Sequence, residues 1–251
     1  MNSNRRKFIK IAGLAALGWS ICPPLAGART SRYKRIEEGL RAERWAMAID
    51  TAKLTQEVMD RAIAACHELH NVPKIENDQN IKWIWVETFY NLIYDQSHPF
   101  LQERQLPVLT LCNHCDNPPC VRVCPTKATF SREDGIVLMD FHRCIGCRFC
   151  MAGCPYGARS FNYFDPKLFL NEDDMNRDFP ARDMGVVEKC EFCAHLLDQG
   201  ERPACVEAAE GALFFGDVRD PDSEVRQVLR ERYSLVRKPK LGTEPQVYYL
   251  I

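Results

Sequence analysis

The 251-residue sequence predicts an α+β fold: two small modules with insertions, dependent on bound metal. Three observations predict it. Twelve of the thirteen cysteines lie beyond residue 28, and eight of these form two close runs of four. Short strand-like and helix-like stretches alternate around those runs. The composition, 46% hydrophobic and 27% charged, is that of a globular chain. A formal net charge of −1 gives no argument for nucleic acid. Mean hydropathy is −0.32, and no apolar run reaches the roughly 18 residues of a membrane helix.

Residues 1–28 read as an export signal, leaving 29–251 as the mature region. Arg5, Arg6, Lys7 and Lys10 precede an apolar stretch from Ile11 to Ile21, and Ala26-Gly27-Ala28 suits cleavage before Arg29. The arginine pair followed by Lys7-Phe8-Ile9-Lys10 has the twin-arginine form, with an ordinary Sec signal as the alternative. Ile21 makes Cys22 a poor lipidation site. Removing this segment leaves 29 basic and 34 acidic residues, a net of −5. Exported cysteines usually form disulfides. The twin-arginine route instead carries proteins folded in the reducing cytoplasm, so twelve mature cysteines point to bound metal in a periplasmic protein.

Along the chain, Thr55 is the expected N-cap of a helix through "TQEVMDRAIAACHEL", with Val58, Ala62, Ala65 and Leu69 on one face. "IKWIWVETFY" (81–90) alternates as a strand, suited to sheet packing or, alternatively, to a partner. "CNHCDNPPCVRVCP" supplies Cys112, Cys115, Cys120 and Cys124. "EDGIVLMD" reads as a turn at Asp134-Gly135 leading into a strand. "CIGCRFCMAGCP" supplies Cys144, Cys147, Cys150 and Cys154. Residues 164–185 read as a loop insert. "KCEFC" and "ACVEAAEGAL" add Cys190, Cys193 and Cys205. "SEVRQVLRERY" (223–233) is an amphipathic helix capped by Ser223. The tail, with Pro239 and Pro245, is expected to run extended over the surface.

The run ending at Cys154 is C-x2-C-x2-C-x3-C-P, the bacterial ferredoxin spacing, and the run ending at Cys124 is the same with two extra residues before its third cysteine. Three closely spaced thiolates grip one face of an iron–sulfur cube, and the last cysteine of each run ligates the other cube. One [4Fe–4S] cluster is therefore assigned to Cys112, Cys115, Cys120 and Cys154, a second to Cys144, Cys147, Cys150 and Cys124. A zinc ribbon is the alternative. Cys190, Cys193 and Cys205 are the first three ligands of another run. Their fourth would come from a partner run, and Cys66 is the one mature cysteine left. Twelve cysteines then make three cubes of four. The offsets before Cys66 hold Gln56, Met59 and Ala62, and the fourth place after Cys205 holds Ala209. All four vacancies belong to one missing cube. The bland alternative makes Cys66 a buried core thiol on its helix. His67, His114, His142 and His195 stand near cysteines, where hydrogen bonding or exposure explains them as well as ligation does. No nucleophile, acid–base pair or phosphate loop is recognisable, so the chain reads as an electron carrier and not as an enzyme.

The paired runs resemble the four-cluster iron–sulfur subunits that accompany molybdenum reductases and membrane quinone proteins, over roughly residues 42–251. The resemblance implies two bacterial-ferredoxin-like modules: an outer one from 42–100 plus 186–216 with one cluster, an inner two-cluster one from 101–163, and a C-terminal helix and tail from 217–251. The chain departs from that pattern at positions 56, 59, 62 and 209. "RWAMAID", "CHELHNVP", "IKWIW", "LCNHCDNPPCVRVCPTKATF", "HRCIGCRFCMAGCPYGARSF", "GVVEKCEFCA", "ALFFGD" and "LGTEPQVYY" are similar to the DsrO family, the periplasmic iron–sulfur subunits of DsrMKJOP complexes. That likeness implies an NrfD-type integral membrane quinone-interacting partner, a periplasmic multihaem cytochrome c, and dissimilatory sulfur metabolism. Two other readings stand beside it: the electron-transfer arm of an exported molybdenum reductase, and a scaffold whose clusters only stabilise the fold.

Overall fold

The computed structural model describes residues 39–93 and 106–251. The expected export signal lies outside them. The described residues are laid out as a cycle in which antiparallel strand pairs alternate with cysteine-bearing turns and helices. Strand β1 (Trp45–Asp50) leads into helix α1 (Gln56–Leu69), which ends the first run at Cys66. Strand β2 (Ile84–Thr88), followed by the single turn α2 (Phe89–Leu92), pairs with β3 (Pro107–Leu111), which delivers the chain to Cys112. The turn α3 (Pro119–Arg122) carries Cys120. Strands β4 (Thr129–Ser131) and β5 (Val137–Met139) form the hairpin expected around Asp134-Gly135 and lead to Cys144. The turn α4 (Phe149–Ala152) carries Cys150. Strands β6 (Ser160–Phe161) and β7 (Val187–Glu188) pair across the 164–185 insert and lead to Cys190. Turns α5 (Ala194–Leu197) and α6 (Ala204–Ala208) follow, the second bearing Cys205. Strand β8 (Leu213–Asp217) closes the cycle by pairing antiparallel with β1, Met47 opposite Phe215.

Four antiparallel strand pairs thus separate the cysteine-bearing segments. Helix α1 carries Cys66. Thr55 caps it, its hydroxyl accepting the Val58 N–H at 3.3 Å. The buried face differs from the expected one. Met59, Ala62 and Cys66 are buried, whereas Val58, Ala65 and Leu69 flank them at intermediate exposure. The cause is packing against α6: the buried stripe runs through Met59, Ala62 and Cys66, while Gln56 is exposed.

The tail corrects the sequence reading. Residues Val247–Leu250 form β10, buried and paired parallel to β1, in a sheet ordered β8-β1-β10-β9 with β9 at Ser234–Leu235. The extended conformation is the expected one; the burial is not, and it arises because the prolines at 239 and 245 lie outside the strand and do not interrupt its ladder. β1 has neighbours on both edges and is buried along its whole length. Trp45, Met47 and Ile49 face the main core with Phe215 and Tyr249. Ala46 and Ala48 face Val225 of helix α7 (Glu224–Glu231), whose Ser223 makes no side-chain cap bond. Burying Met47 or Ile49 contributes roughly 1.5–3 kcal/mol each.

Other expectations resolve locally. The strand in 81–90 begins at Ile84, and Trp83 is fully buried, donating its indole N–H to Glu188 at 2.6 Å. Glu188 also pairs with Arg182 at 2.8 Å, and Arg182 donates to the Asn71 carbonyl at 2.8 Å. This buried knot ties the end of the insert to α1 and β7. The insert itself is mostly irregular, with one 3₁₀ turn at Pro166–Phe169.

Candidate iron–sulfur centres

Each C-x-x-C turn is built the same way. The residue before the second cysteine has a left-handed backbone: His114 at φ 40°, Gly146 at 67° and Phe192 at 51°. Such a turn directs backbone N–H groups inward, towards thiolates. It costs a non-glycine residue of order 1–2 kcal/mol, so the surroundings must hold it. At Gly146 no side chain fits, since a Cβ would lie 2.4 Å from the Gly185 carbonyl oxygen. The third cysteine of each run then sits in the first turn of a short helix, Cys120 on α3, Cys150 on α4 and Cys205 on α6.

Cys112, Cys115, Cys120 and Cys154 line one recess together with Pro118, Pro119, Val137, Pro155, Tyr156 and Arg159. Helices α3 and α4 pack together, which sets the run ending at Cys124 beside that of Cys144, Cys147 and Cys150. Cys144 packs against the small core that holds Cys150. Cys147 alone among the described cysteines is exposed. Cys66, Cys190, Cys193 and Cys205 are all buried, and the first, second and fourth belong to the main core. Met59, Ala62 and Ala209, at the vacant positions, are buried in that same core at 0, 0 and 1% exposure. Gln56, the other position without a thiol, is exposed.

The thiols are set up for metal, not for a free acid–base life. Burial pushes Cys66 well above its ordinary value, and charge on Cys205, Cys190 and Cys193 would push it further. Burial likewise takes Cys115 and Cys193 to about 12. A buried group this costly to ionise calls for a partner cation, and iron deprotonates a coordinating thiol outright. Backbone donors stand ready. The Phe192 N–H reaches Cys190 Sγ at 3.4 Å. Burial would raise Cys124, but the backbone N–H groups of Thr129, Thr126 and Ala128 outweigh it and hold that thiol low.

Among the described residues, no three Cys, His, Asp or Glu side chains converge on a point suited to one ion. The buried Nη2 of Arg159, at the edge of the Cys112 recess, has no hydrogen-bond partner among the described residues, as expected of a donor aimed at cluster sulfur.

The histidines separate. His114 is buried, stacks on Phe192 at 3.7 Å and accepts the Val137 N–H at Nδ1, 3.1 Å away. His142 lies in the turn capped by Asp140. Burial lowers His67 to about 4 and also lowers His195. His70 escaped the sequence reading. Its Nδ1 lies 2.7 Å from the Cys66 carbonyl and 3.8 Å from the Cys66 sulfur, and burial takes it to about 3. Arg159 and Lys189, buried among the cysteines, were missed as well. Arg159 stands five residues after Cys154 and Lys189 directly before Cys190, but no spacing rule marks a cation.

Residues 106–167 match the family described as 4Fe-4S dicluster domain. Across nearly its whole length the chain is 42% identical to the Hdr-like menaquinol oxidoreductase iron-sulfur subunit 1 of Archaeoglobus fulgidus, covering 98% of this chain and 97% of that one. The chain belongs to the family of [4Fe–4S] iron–sulfur subunits of oxidoreductase complexes. It is 36% identical to a subunit of the tetrathionate reductase of Salmonella typhimurium, over 100% of this chain and 89% of that one. It is 35% identical to the iron-sulfur cluster-binding subunit of menaquinone reductase from Nitratidesulfovibrio vulgaris, over 82% and 88%. Membership makes [4Fe–4S] cubes the cofactors and ferredoxin-like modules the fold. Among the described residues no helix is long and apolar enough to cross a membrane.

Proposed function

We propose that this chain is a periplasmic wire with three [4Fe–4S] clusters, passing single electrons between an NrfD-type membrane quinone protein and a periplasmic multihaem cytochrome c. The observation that carries the reading is the arrangement of twelve cysteines in three groups with a filled fourth place. Cys112, Cys115, Cys120 and Cys154 hold the central cube; Cys144, Cys147, Cys150 and Cys124 hold a second; Cys190, Cys193, Cys205 and Cys66 hold the third. Bound cubes supply one-electron steps without proton transfer, at potentials their surroundings set over roughly −700 to +450 mV. The protein's part is to space them, exclude water and donate N–H groups to sulfur.

Exchange with partners needs a cluster near the surface. Cys147 is exposed, and Ile145 and Phe149 beside it are 67% and 59% exposed, an apolar rim suited to a protein partner. Menaquinol and menaquinone in the names of two relatives support the quinone side. The likeness to DsrO supports the cytochrome and the setting in dissimilatory sulfur metabolism, and the twin-arginine form of residues 5–10 supports export with clusters already in place. In the assembled complex, a quinol analogue should reduce the clusters. Cys147→Ser should slow quinone-to-haem transfer while the partners stay bound. Transfer at the wild-type rate, with that cluster gone and the complex intact, refutes the wire.

The full-length likeness to a tetrathionate reductase component favours one second reading, the electron arm of an exported molybdenum reductase. Molybdenum purifying stoichiometrically with the native complex decides for it.

A further inference from the structure

Successive cysteine runs repeat the same local plan, so a position where two runs differ in charge stands out. Cys124-Pro-Thr-Lys-Ala is followed by Thr129, and Cys154-Pro-Tyr-Gly-Ala is followed by Arg159. Both side chains reach Met139 Sδ, the Thr129 hydroxyl at 2.6 Å and the Arg159 guanidinium at 3.2 Å. One half of the inner module thus holds a neutral group where the other buries a full positive charge.

Arg159 is 4% exposed. It lines the recess of Cys112, Cys115, Cys120 and Cys154, and its charge also reaches the Cys150 thiol of the second set, pulling it down against burial. Among the described residues it has no carboxylate partner, and its Nη2 is unpaired. Lys189, 0% exposed, stands at the other junction. Its Nζ donates to the carbonyls of Val137 and Cys190, the latter at 2.8 Å, and forms no ion pair among the described residues. Cys112 feels both: burial raises its thiol, and Lys189 and then Arg159 pull it back down. Arg44 also approaches, donating to the His114 carbonyl at 2.8 Å, but Asp116 neutralises it at 3.2 Å. The Glu191 carboxylate lies within reach of the Lys189 charge without forming an ion pair, and Arg159 has no such neighbour among the described residues; a buried cation so placed is costly unless negative charge lies beside it.

We propose that Arg159 and Lys189 set the reduction potential of the central cube held by Cys112, Cys115, Cys120 and Cys154, making it the most easily reduced of the three. The inference rests on the three-cluster reading. Each cube takes up one electron and no proton, so reduction adds one negative charge, which a fixed cation in a dry interior favours. Arg159 acts on the central and second cubes, Lys189 on the central and third. Only the central cube is held by both. An electron entering from either side then rests at the centre.

The test is an anaerobic redox titration of the holoprotein, reduced with dithionite and followed by EPR, with signals assigned by single cysteine variants. Iron and sulfide are counted first, so a wrong cluster number shows before any potential is read. Arg159→Gln should lower the reduction equilibrium of the central and second cubes about tenfold, or ~59 mV for one electron, and leave the third in place. Lys189→Met should move the central and third cubes and leave the second. With iron retained, an unmoved central cube or a uniform shift of all three overturns the proposal. If both variants lose iron, the wild-type order decides. The first signal to appear on reduction should be the one altered in Cys115→Ser. If it is the one altered in Cys66→Ser or Cys147→Ser, the proposal fails.

Discussion

Cys66 shows how one side chain changes meaning with its surroundings. On an ordinary helix a buried cysteine is a small apolar filler. Here it lies on the buried stripe of α1 beside Met59 and Ala62, facing the chain segment that carries Cys190, Cys193 and Cys205. Cys66→Ser should remove or convert one cluster and leave the other two EPR signals intact; unchanged spectra and iron content return Cys66 to the core. Ala209→Cys alone should add no iron, because Gln56, Met59 and Ala62 still supply no thiols. The cysteines were legible in the sequence because ligand spacing along a chain is a local property. Arg159, Lys189 and His70 were not, since their partners are brought to them only by folding. A lone arginine five residues past a cysteine looks like any surface charge.

At the scale of elements, the strand pairs carry the plan and the helices fill in around it. The sequence showed the β4–β5 turn and the Thr55 cap, where single residues dictate backbone geometry. It did not show β10 as an inner strand, because the partner of "VYYL" is β1, some two hundred residues earlier. Nor did it show which stripe of α1 is buried, because the choice is made by α6. Asp50 at the end of β1 is tied to Arg232 just beyond α7, whose guanidinium donates to Oδ1 at 3.1 Å and to Oδ2. Burial would raise this carboxyl, but the Arg232 bond, with the Ala52 N–H and Lys53, outweighs it and holds it below its ordinary value. A depressed carboxylate contributes stability that is present above its unfolded value and lost as pH falls through its folded one. Asp50→Asn should therefore cost about 1–3 kcal/mol at neutral pH. The gap to wild type should close in acid, below about pH 4, as read by denaturant melts across pH. A gap that persists undiminished at pH 2 removes the ion pair from the account.

For the whole molecule, the proposed clusters sit among buried core residues, so their assembly and the folding of the chain are expected to be coupled. A cytoplasmic assembly step and export of a finished protein go together in this reading. Arg5→Lys with Arg6→Lys should leave a cluster-loaded precursor in the cytoplasm; normal export of that double variant points instead to the Sec route and weakens the case against disulfides. The cofactor class and the ferredoxin-like fold are shared with relatives along nearly the full chain. The count of three is the central proposal, and it rests on Gln56, Met59, Ala62 and Ala209 standing where a fourth set of thiols is expected. Iron and acid-labile sulfide, measured per chain on anaerobically purified protein, test that claim most directly. Three cubes require about twelve of each; about sixteen would mean that a fourth cluster survives without its thiols, and about eight that Cys66 does not complete the third.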